Sequence, residues 1–279
     1  MDRRKAIRIA AGAVAAGSVG TVSLATAFKP EVNATAKPEN IPTGNESSEW
    51  KYVPLDPVAT AKRAYENYPE GSCMYGVFSS VVLQLAKEIG EPYASFPVQM
   101  MKYGHGGIGG YGTTCGSLNG AAALIGLLIE EKEIQNLLIA DLFQWYENNQ
   151  FPVFTPELPV LDYTPPTSVS GSVLCHASNS KWGESSGHKI SSPERKERCR
   201  RLTADVTAHT VDMLNSYFSN TFVAYTRDNE TVRTCMTCHG GKGKLGNTSG
   251  NMTCTSCHPK SLGHRVFGDV HYKLMKDQP

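Results

Sequence analysis

Residues 56–90 read DPVATAKRAYENYPEGSCMYGVFSSVVLQLAKEIG, and this stretch sets the class of fold. Asp56 is a strong N-cap, and Pro57 takes the first helical position, where its missing N–H costs nothing. Val58, Ala59, Ala61 and Ala64 carry the helix to Tyr65. Pro69-Glu70-Gly71 interrupts it. Ser72 then caps a second helix, where Met74, Val77, Val81, Val82 and Leu85 recur at helical steps up to Gly90. Cys73 falls at the start of that second helix.

The helical signal repeats downstream. After a glycine-rich loop from Gly104 to Gly112, Thr114 opens a helix through Ala121 to Ile129. Ile134, Leu137, Leu138, Leu142 and Trp145 mark another over about 131–148. Residues 150–174 hold Pro152, Pro156, Pro159, Pro165 and Pro166 and read as a long irregular loop of the kind that wraps a site. Ser192-Pro193 repeats the cap-then-proline signal and starts a helix to about Tyr217. Beyond 218 the chain turns polar and Gly-rich. Trp50, Trp145 and Trp182 read as packing anchors, and the Glu194–Arg201 charge run reads as a solvated helix face. The fold expected is mainly α: a helical domain over 57–217 followed by an irregular segment over 218–279.

Residues 1–27 read as an export signal. Arg3-Arg4-Lys5 and Arg8 precede an uncharged run from Ile9 to Ala27, and Ala25-Thr26-Ala27 is an A-x-A cleavage site. The arginine pair resembles a twin-arginine (Tat) signal, with Asp2 and Ala6 departing from the usual Ser and Phe. Residues 28–56, with four prolines among polar residues, read as an extended linker. No membrane span is expected after cleavage, because Gly, Ser and Thr make the apolar run a poor anchor. The chain carries 27 basic and 26 acidic residues among 279 and is 40% hydrophobic, which excludes wholesale disorder and a protein built to neutralise nucleic-acid phosphates. Without residues 1–27 the balance is 23 basic against 25 acidic, or −2. Export places the cysteines in an oxidising compartment, the periplasm.

Eight cysteines divide four and four. Cys235-Met236-Thr237-Cys238-His239 and Cys254-Thr255-Ser256-Cys257-His258 are two CxxCH motifs. Two thiols at this spacing reach the two vinyl groups of one haem, and the following His sits under the iron as proximal ligand. The four cysteines also have zinc-ribbon spacing, but a ribbon does not require the His that follows each pair. Two disulfides are a third option.

Cys73, Cys115, Cys175 and Cys199 remain. Four thiolates are the usual ligand set of a [2Fe–2S] or [4Fe–4S] cluster, whereas four cysteines in an exported protein also make two disulfides. Cys73 and Cys115 both fall at helix starts, where the backbone favours a thiolate. Arg198, Arg200 and Arg201 flank Cys199 and would offset a cluster's charge.

Cys73, Thr114-Cys115-Gly116-Ser117-Leu118-Asn119-Gly120, Cys175-His176-Ala177-Ser178 and Glu197-Arg198-Cys199 together resemble the redox-protein family named for its C…GCAxxG…C…C pattern. Thr114, Gly116 and Asn119 stand where that motif has Gly, Ala and Gly. With Lys102-Tyr103-Gly104-His105-Gly106-Gly107 and two CxxCH motifs, residues 57–279 are similar to the split-Soret cytochromes c. The resemblance implies a homodimer, two bis-His haems c per chain packed close together, and a [2Fe–2S] cluster on the four scattered cysteines.

His105, among three glycines that let a flat macrocycle approach, and His176, beside Cys175, are the expected distal haem ligands. His188, His209, His264 and His271 are the remaining candidates. The function expected is electron transfer between cluster, haems and a redox partner. No nucleophile–base constellation, P-loop or dinucleotide fingerprint is present. The enzymatic alternative is a haem with a displaceable sixth ligand reducing a small oxyanion or peroxide.

Overall fold

The computed structural model describes residues 49–224, 229–256 and 258. The export signal, most of the linker, Cys257, His264 and His271 lie outside the described residues. The fold is mainly α, as the sequence leads one to expect. Helix α1 spans Pro57–Ile89, α2 Gly116–Leu128, α3 Lys132–Asn148, α4 Cys175–Ser186, α5 Pro193–Phe218 and α6 Glu230–His239. Two-residue strands β1 (Gln150–Phe151) and β2 (Ser168–Val169) pair antiparallel within the proline-rich loop.

The caps behave as their residue types dictate. Asp56 Oδ1 accepts from the Val58 and Ala59 N–H groups at 2.8 and 3.1 Å, and Ser192 Oγ accepts from Arg195 N at 3.3 Å. Such a cap is worth ~1 kcal/mol. The core forms where α1, α2, α3 and α5 pack together. Val77, Val81, Val82 and Leu85 of α1, Leu118, Leu124 and Ile125 of α2, Leu138 and Leu142 of α3, and Val206, Val211 and Leu214 of α5 are fully buried. Each contributes roughly 1.5–3 kcal/mol over an exposed position.

The break in α1 falls at Ser72, not at Pro69-Glu70-Gly71; Pro69 lies inside the helix and Ser72 adopts φ 66, ψ −156. A left-handed φ costs a side-chain-bearing residue about 1–3 kcal/mol and persists only where the surroundings impose it. Here the Met74 N–H, past the break, reaches the Gly104 carbonyl at 3.4 Å. The start of α2 presses on the same point. A Cβ on Gly116 would stand 3.0 Å from Cys73 Cβ and far inside contact distance of the Gly104 oxygen. Two glycines therefore let the kink of α1 and the start of α2 meet.

Two elements were not legible as helices. In α4, Trp182 is fully buried and its indole N–H donates to Pro166 O at 3.0 Å. The last turns of α6 carry the first CxxCH motif, which the sequence placed in irregular chain. The 150–174 loop is held down by Asp205 of α5, whose carboxylate accepts the Val153 and Phe154 N–H groups at 3.0 and 2.8 Å. Trp50 packs edge-on against Tyr93 and Phe96, and Trp145 stacks on His209, so all three tryptophans pack as expected. Among the described residues no helix is long and apolar enough to cross a membrane.

Candidate functional site

Four elements deliver one cysteine each to a single buried region. Cys73 follows the kink of α1, Cys115 is the N-cap residue of α2, Cys175 opens α4, and Cys199 lies within α5. Three of the four sit at helix starts, where N–H groups and the helix dipole favour negative charge. The loop before α2 and the strand-like run before α4 are tied together. Cys115 N donates to Val173 O at 2.8 Å, and Cys175 N donates to Thr113 O at 2.7 Å. All four are free thiols, and each is at least 92% buried.

Their electrostatics show that they are neighbours. Burial pushes the Cys73 thiol well up, and the Cys199, Cys115 and Cys175 charges push it further. Burial, then Cys115 and Cys199, push Cys175 up to about 12. Four thiolates cannot share this apolar region unless cations balance them. Among the described residues no three His, Cys, Asp or Glu side chains converge on a point to hold one metal ion.

The region has its own donors. Asn179 Nδ2 lies 3.1 Å from Cys175 Sγ, and its Oδ1 lies 3.6 Å from Cys199 Sγ. The Tyr68 hydroxyl is 3.9 Å from Cys73 Sγ. The Tyr146 hydroxyl donates to Ser178 Oγ at 2.8 Å; burial, then the Cys115 charge, push its pKa well up. Arg198, 1% exposed, places Nη1 3.9 Å from Cys199 Sγ and donates from Nη2 to Ser178 Oγ at 2.9 Å. Its Nε is buried without a hydrogen-bond partner. A buried guanidinium with an open donor beside four thiols suits an anionic iron–sulfur group, whose sulfides accept such bonds.

The charge run of α5 is not the solvated face expected of it. Glu197, Arg198 and Arg201 are all buried. Arg201 Nε pairs with Glu197 Oε1 at 2.8 Å, and Arg200 lies over the Tyr65 and Tyr68 rings at 5.3 and 5.5 Å. Of the three arginines adjoining Cys199, Arg198 hydrogen-bonds the sulfur itself. The second cation is Arg195, whose guanidinium donates to Ile190 O at 2.6 Å and interacts with the Cys199 charge. It lies four residues earlier, one helical turn back, and that spacing was the available signal. Asn179, four residues after Cys175, and Tyr68, five before Cys73, had the same local signal; Tyr146 and Ser178 had none, because their partners are distant in the chain.

The two CxxCH segments lie together. The Cys254 thiol is directed at Met252 O at 3.7 Å, and burial, then the nearby Cys235 charge, push it up. The His239 Nδ1 is 3.0 Å from Asn247 Oδ1, a contact that sets which ring nitrogen carries the proton. Leu245 N and Thr248 N close the turn on Cys238 O and His239 O, both at 2.9 Å. The 3₁₀ turn Cys254–Ser256 is anchored to the helical body. Thr253 Oγ1 donates to Glu147 Oε2 at 2.8 Å, and the Ser256 hydroxyl donates to the Gly171 carbonyl. His258 is exposed.

His105, in the glycine-rich loop, and His176, in the first turn of α4, are both exposed, and His176 N donates to Gly112 O at the end of that loop at 3.0 Å. His188 faces Glu194 at 3.6 Å and stacks on Trp182. His209 lies flat on Trp145, ring centroids 3.8 Å apart.

This arrangement has known counterparts. Residues 76–213 match the model of the redox-active protein family C_GCAxxG_C_C. The split-Soret cytochrome c of Desulfovibrio desulfuricans is 37% identical over 220 residues, covering 75% of this chain and 77% of that protein. The solved structure of the D. desulfuricans split-Soret cytochrome c, described as having a novel iron centre, superposes with a TM-score of 0.72 at 35% identity. It covers 77% of this chain and 92% of the other. By this identity and coverage the chain belongs to the split-Soret cytochrome c family.

Proposed function

We propose that the protein is an exported electron carrier with three redox centres per chain, two haems c and one [2Fe–2S] cluster. The observation that carries the reading is the meeting of Cys73, Cys115, Cys175 and Cys199, from four separate elements, in one buried region. Membership of a cytochrome family supports a redox electron-transfer role and a haem and iron complement.

In this reading the four cysteines hold the iron–sulfur centre within a helical domain over 57–217. Bound iron and sulfide would supply one-electron chemistry. The chain's own groups do the rest. Arg195 and Arg198 offset negative charge, Asn179 spans two cysteines, and the packed core keeps water out.

Cys235 and Cys238 would anchor one haem, with His239 beneath its iron. Cys254 and Cys257 would anchor the second, with His258 beneath it. The packing of α6, which carries Cys235, against the turn Cys254–Ser256 supports haems packed close together in the 218–279 segment. The Asn247 contact at Nδ1 suits His239 for iron ligation through Nε2. His105 and His176 are proposed as distal ligands, His105 exposed on the glycine-rich loop and His176 exposed in the first turn of α4, leaving room for a macrocycle. Residues 1–27 direct export, by the twin-arginine route, to the periplasm; 28–56 are a linker; and the protein is a homodimer that passes electrons to a redox partner.

Iron, haem and acid-labile sulfide analysis with EPR tests the assignment. The expected result is two haems per chain, matching two CxxCH motifs, plus iron accompanied by sulfide. A Cys115→Ser variant should lose the sulfide-linked iron and keep its haem bands. Haem without sulfide, with two disulfides on the four scattered cysteines, would refute the cluster. Replacing Arg3 and Arg4 by Lys should abolish export; normal export refutes the twin-arginine route.

A further inference from the structure

We propose that Asn179 raises the reduction potential of the cysteine-held centre by donating a side-chain N–H to Cys175 Sγ. The proposal rests on the reading of the four cysteines as ligands. It adds a positioning residue that sets the potential without itself holding iron.

The bond is given by geometry. Asn179 Nδ2 donates to Cys175 Sγ at 3.1 Å and to the Cys175 carbonyl at 3.0 Å, and Oδ1 lies 3.6 Å from Cys199 Sγ. Among the described residues, the other polar side-chain contacts to these sulfurs are longer: the Tyr68 hydroxyl is 3.9 Å from Cys73 Sγ, and Arg198 Nη1 is 3.9 Å from Cys199 Sγ. Asn179 follows Cys175 by four residues in α4, so one helical turn brings the amide to the cysteine. The residue before it ties that turn to α5, where Arg198 Nη2 donates to Ser178 Oγ at 2.9 Å.

The Cys175 carbonyl decides which end of the amide faces the sulfur. A side-chain amide carries its hydrogens on nitrogen and none on oxygen. Turned round, it would set Oδ1 against the Cys175 oxygen, acceptor against acceptor. Both N–H groups are therefore spent on Cys175, one on its backbone and one on its sulfur. A ligating sulfur carries more negative charge when the centre is reduced, so a donated N–H favours the reduced state and raises the potential. The oxygen end acts the other way on Cys199, but from farther off, and Arg198 Nη1 faces that same sulfur. The donating end prevails.

A packing role for Asn179 predicts something else: Asn179→Leu keeps the volume and should then leave the potential unmoved. The test is redox titration of the EPR-active centre in the full, haem-loaded protein, with iron and sulfide counted first. Asn179→Leu and Asn179→Ala should keep their iron and shift the midpoint to more negative values by similar amounts. The expected size is about tenfold in the reduction equilibrium, or ~59 mV for one electron. An unmoved midpoint in Asn179→Leu overturns the proposal. If the variants lose their iron, the wild-type protein decides. With an isotope label on the asparagine side-chain nitrogen alone, its reduced centre should show a nitrogen coupling in pulsed EPR, carried through the N–H···S bond. No such coupling overturns the bond. Wild-type protein without sulfide refutes the ligand reading itself, before any variant is titrated, and the role of Asn179 falls with it.

Discussion

The Glu147 carboxylate accepts the Thr253 hydroxyl at 2.8 Å, joining the last turn of α3 to the residue before Cys254. Tyr146, its neighbour in that turn, hydrogen-bonds Ser178 in the cysteine region. One helix end therefore touches both halves of the proposed redox apparatus.

Breaking this anchor should free the C-terminal segment. Glu147→Ala removes an acceptor for both Thr253 N and Oγ1 and should cost the docked state about 1–3 kcal/mol. Glu147→Gln keeps one acceptor oxygen and should cost less. Hydrogen exchange over 229–256 measures it. Protection unchanged in Glu147→Ala would show that other contacts hold the segment.

Gly116 should not tolerate the alanine that its family motif carries. The added methyl would enter the Gly104 carbonyl, which is backbone and cannot swing aside. Overpacking of this kind costs about 1–3 kcal/mol, and here it would push Cys115 away from Cys73. A lowered melting temperature together with lost sulfide-linked iron is expected. Wild-type stability in Gly116→Ala contradicts the close approach.

Glu197 should be among the most costly positions on α5 to truncate. Its carboxylate receives the Tyr65 hydroxyl at 2.8 Å and Arg201 Nε at 2.8 Å, with Arg201 only 4% exposed. Removing one member of a buried pair strands the other, at about 3–5 kcal/mol. Denaturant unfolding of Glu197→Ala reads the loss. A double Glu197→Leu, Arg201→Met variant should recover part of it, since Arg201 is then no longer stranded; Arg200, 3.9 Å from the Glu197 carboxylate, still loses its partner.

His209 should make the fold acid-sensitive. Burial against Trp145 pulls its imidazole down to about 4, from an ordinary value near 6.5. The folded pKa is depressed, so the unfolded chain binds the proton first as pH falls. Stability is full above the unfolded value and declines as pH drops towards the folded one. The difference in unfolding free energy between wild type and His209→Phe should therefore shift against wild type by up to about 3 kcal/mol between pH 7 and pH 4. Taking the difference removes Asp205, whose carboxyl burial pushes up to about 7 and whose effect runs the other way. A pH-independent difference would falsify the buried neutral imidazole.

What was legible in the sequence was local. Asp56-Pro57 and Ser192-Pro193 announced helix starts because capping and proline geometry act within one turn. The apolar periodicity of α1, α2, α3 and α5 was readable because each presents a stripe to one core. Helix α4, CHASNSKWGESS, has no such stripe; it is held by Trp182 and by bonds to Gly112 and Thr113, all of them long-range. Helix α6 buries little besides Val232 and is likewise invisible to periodicity. The charge run of α5 misled because residue type reports the cost of burying a charge, and not whether a partner relieves it.

By itself the sequence determined the helical class, the two CxxCH motifs and the set of four scattered cysteines, since these depend on residue type and short spacing. Only the tertiary structure decided that Cys73, Cys115, Cys175 and Cys199 share one buried region, that Arg195 and Arg198 are the cations beside Cys199, and that Glu147 fastens the segment before Cys254. The physical reason is range. Caps and periodicity act within a turn of chain, whereas a kink at Ser72 and the missing side chains of Gly104 and Gly116 act by letting distant segments touch.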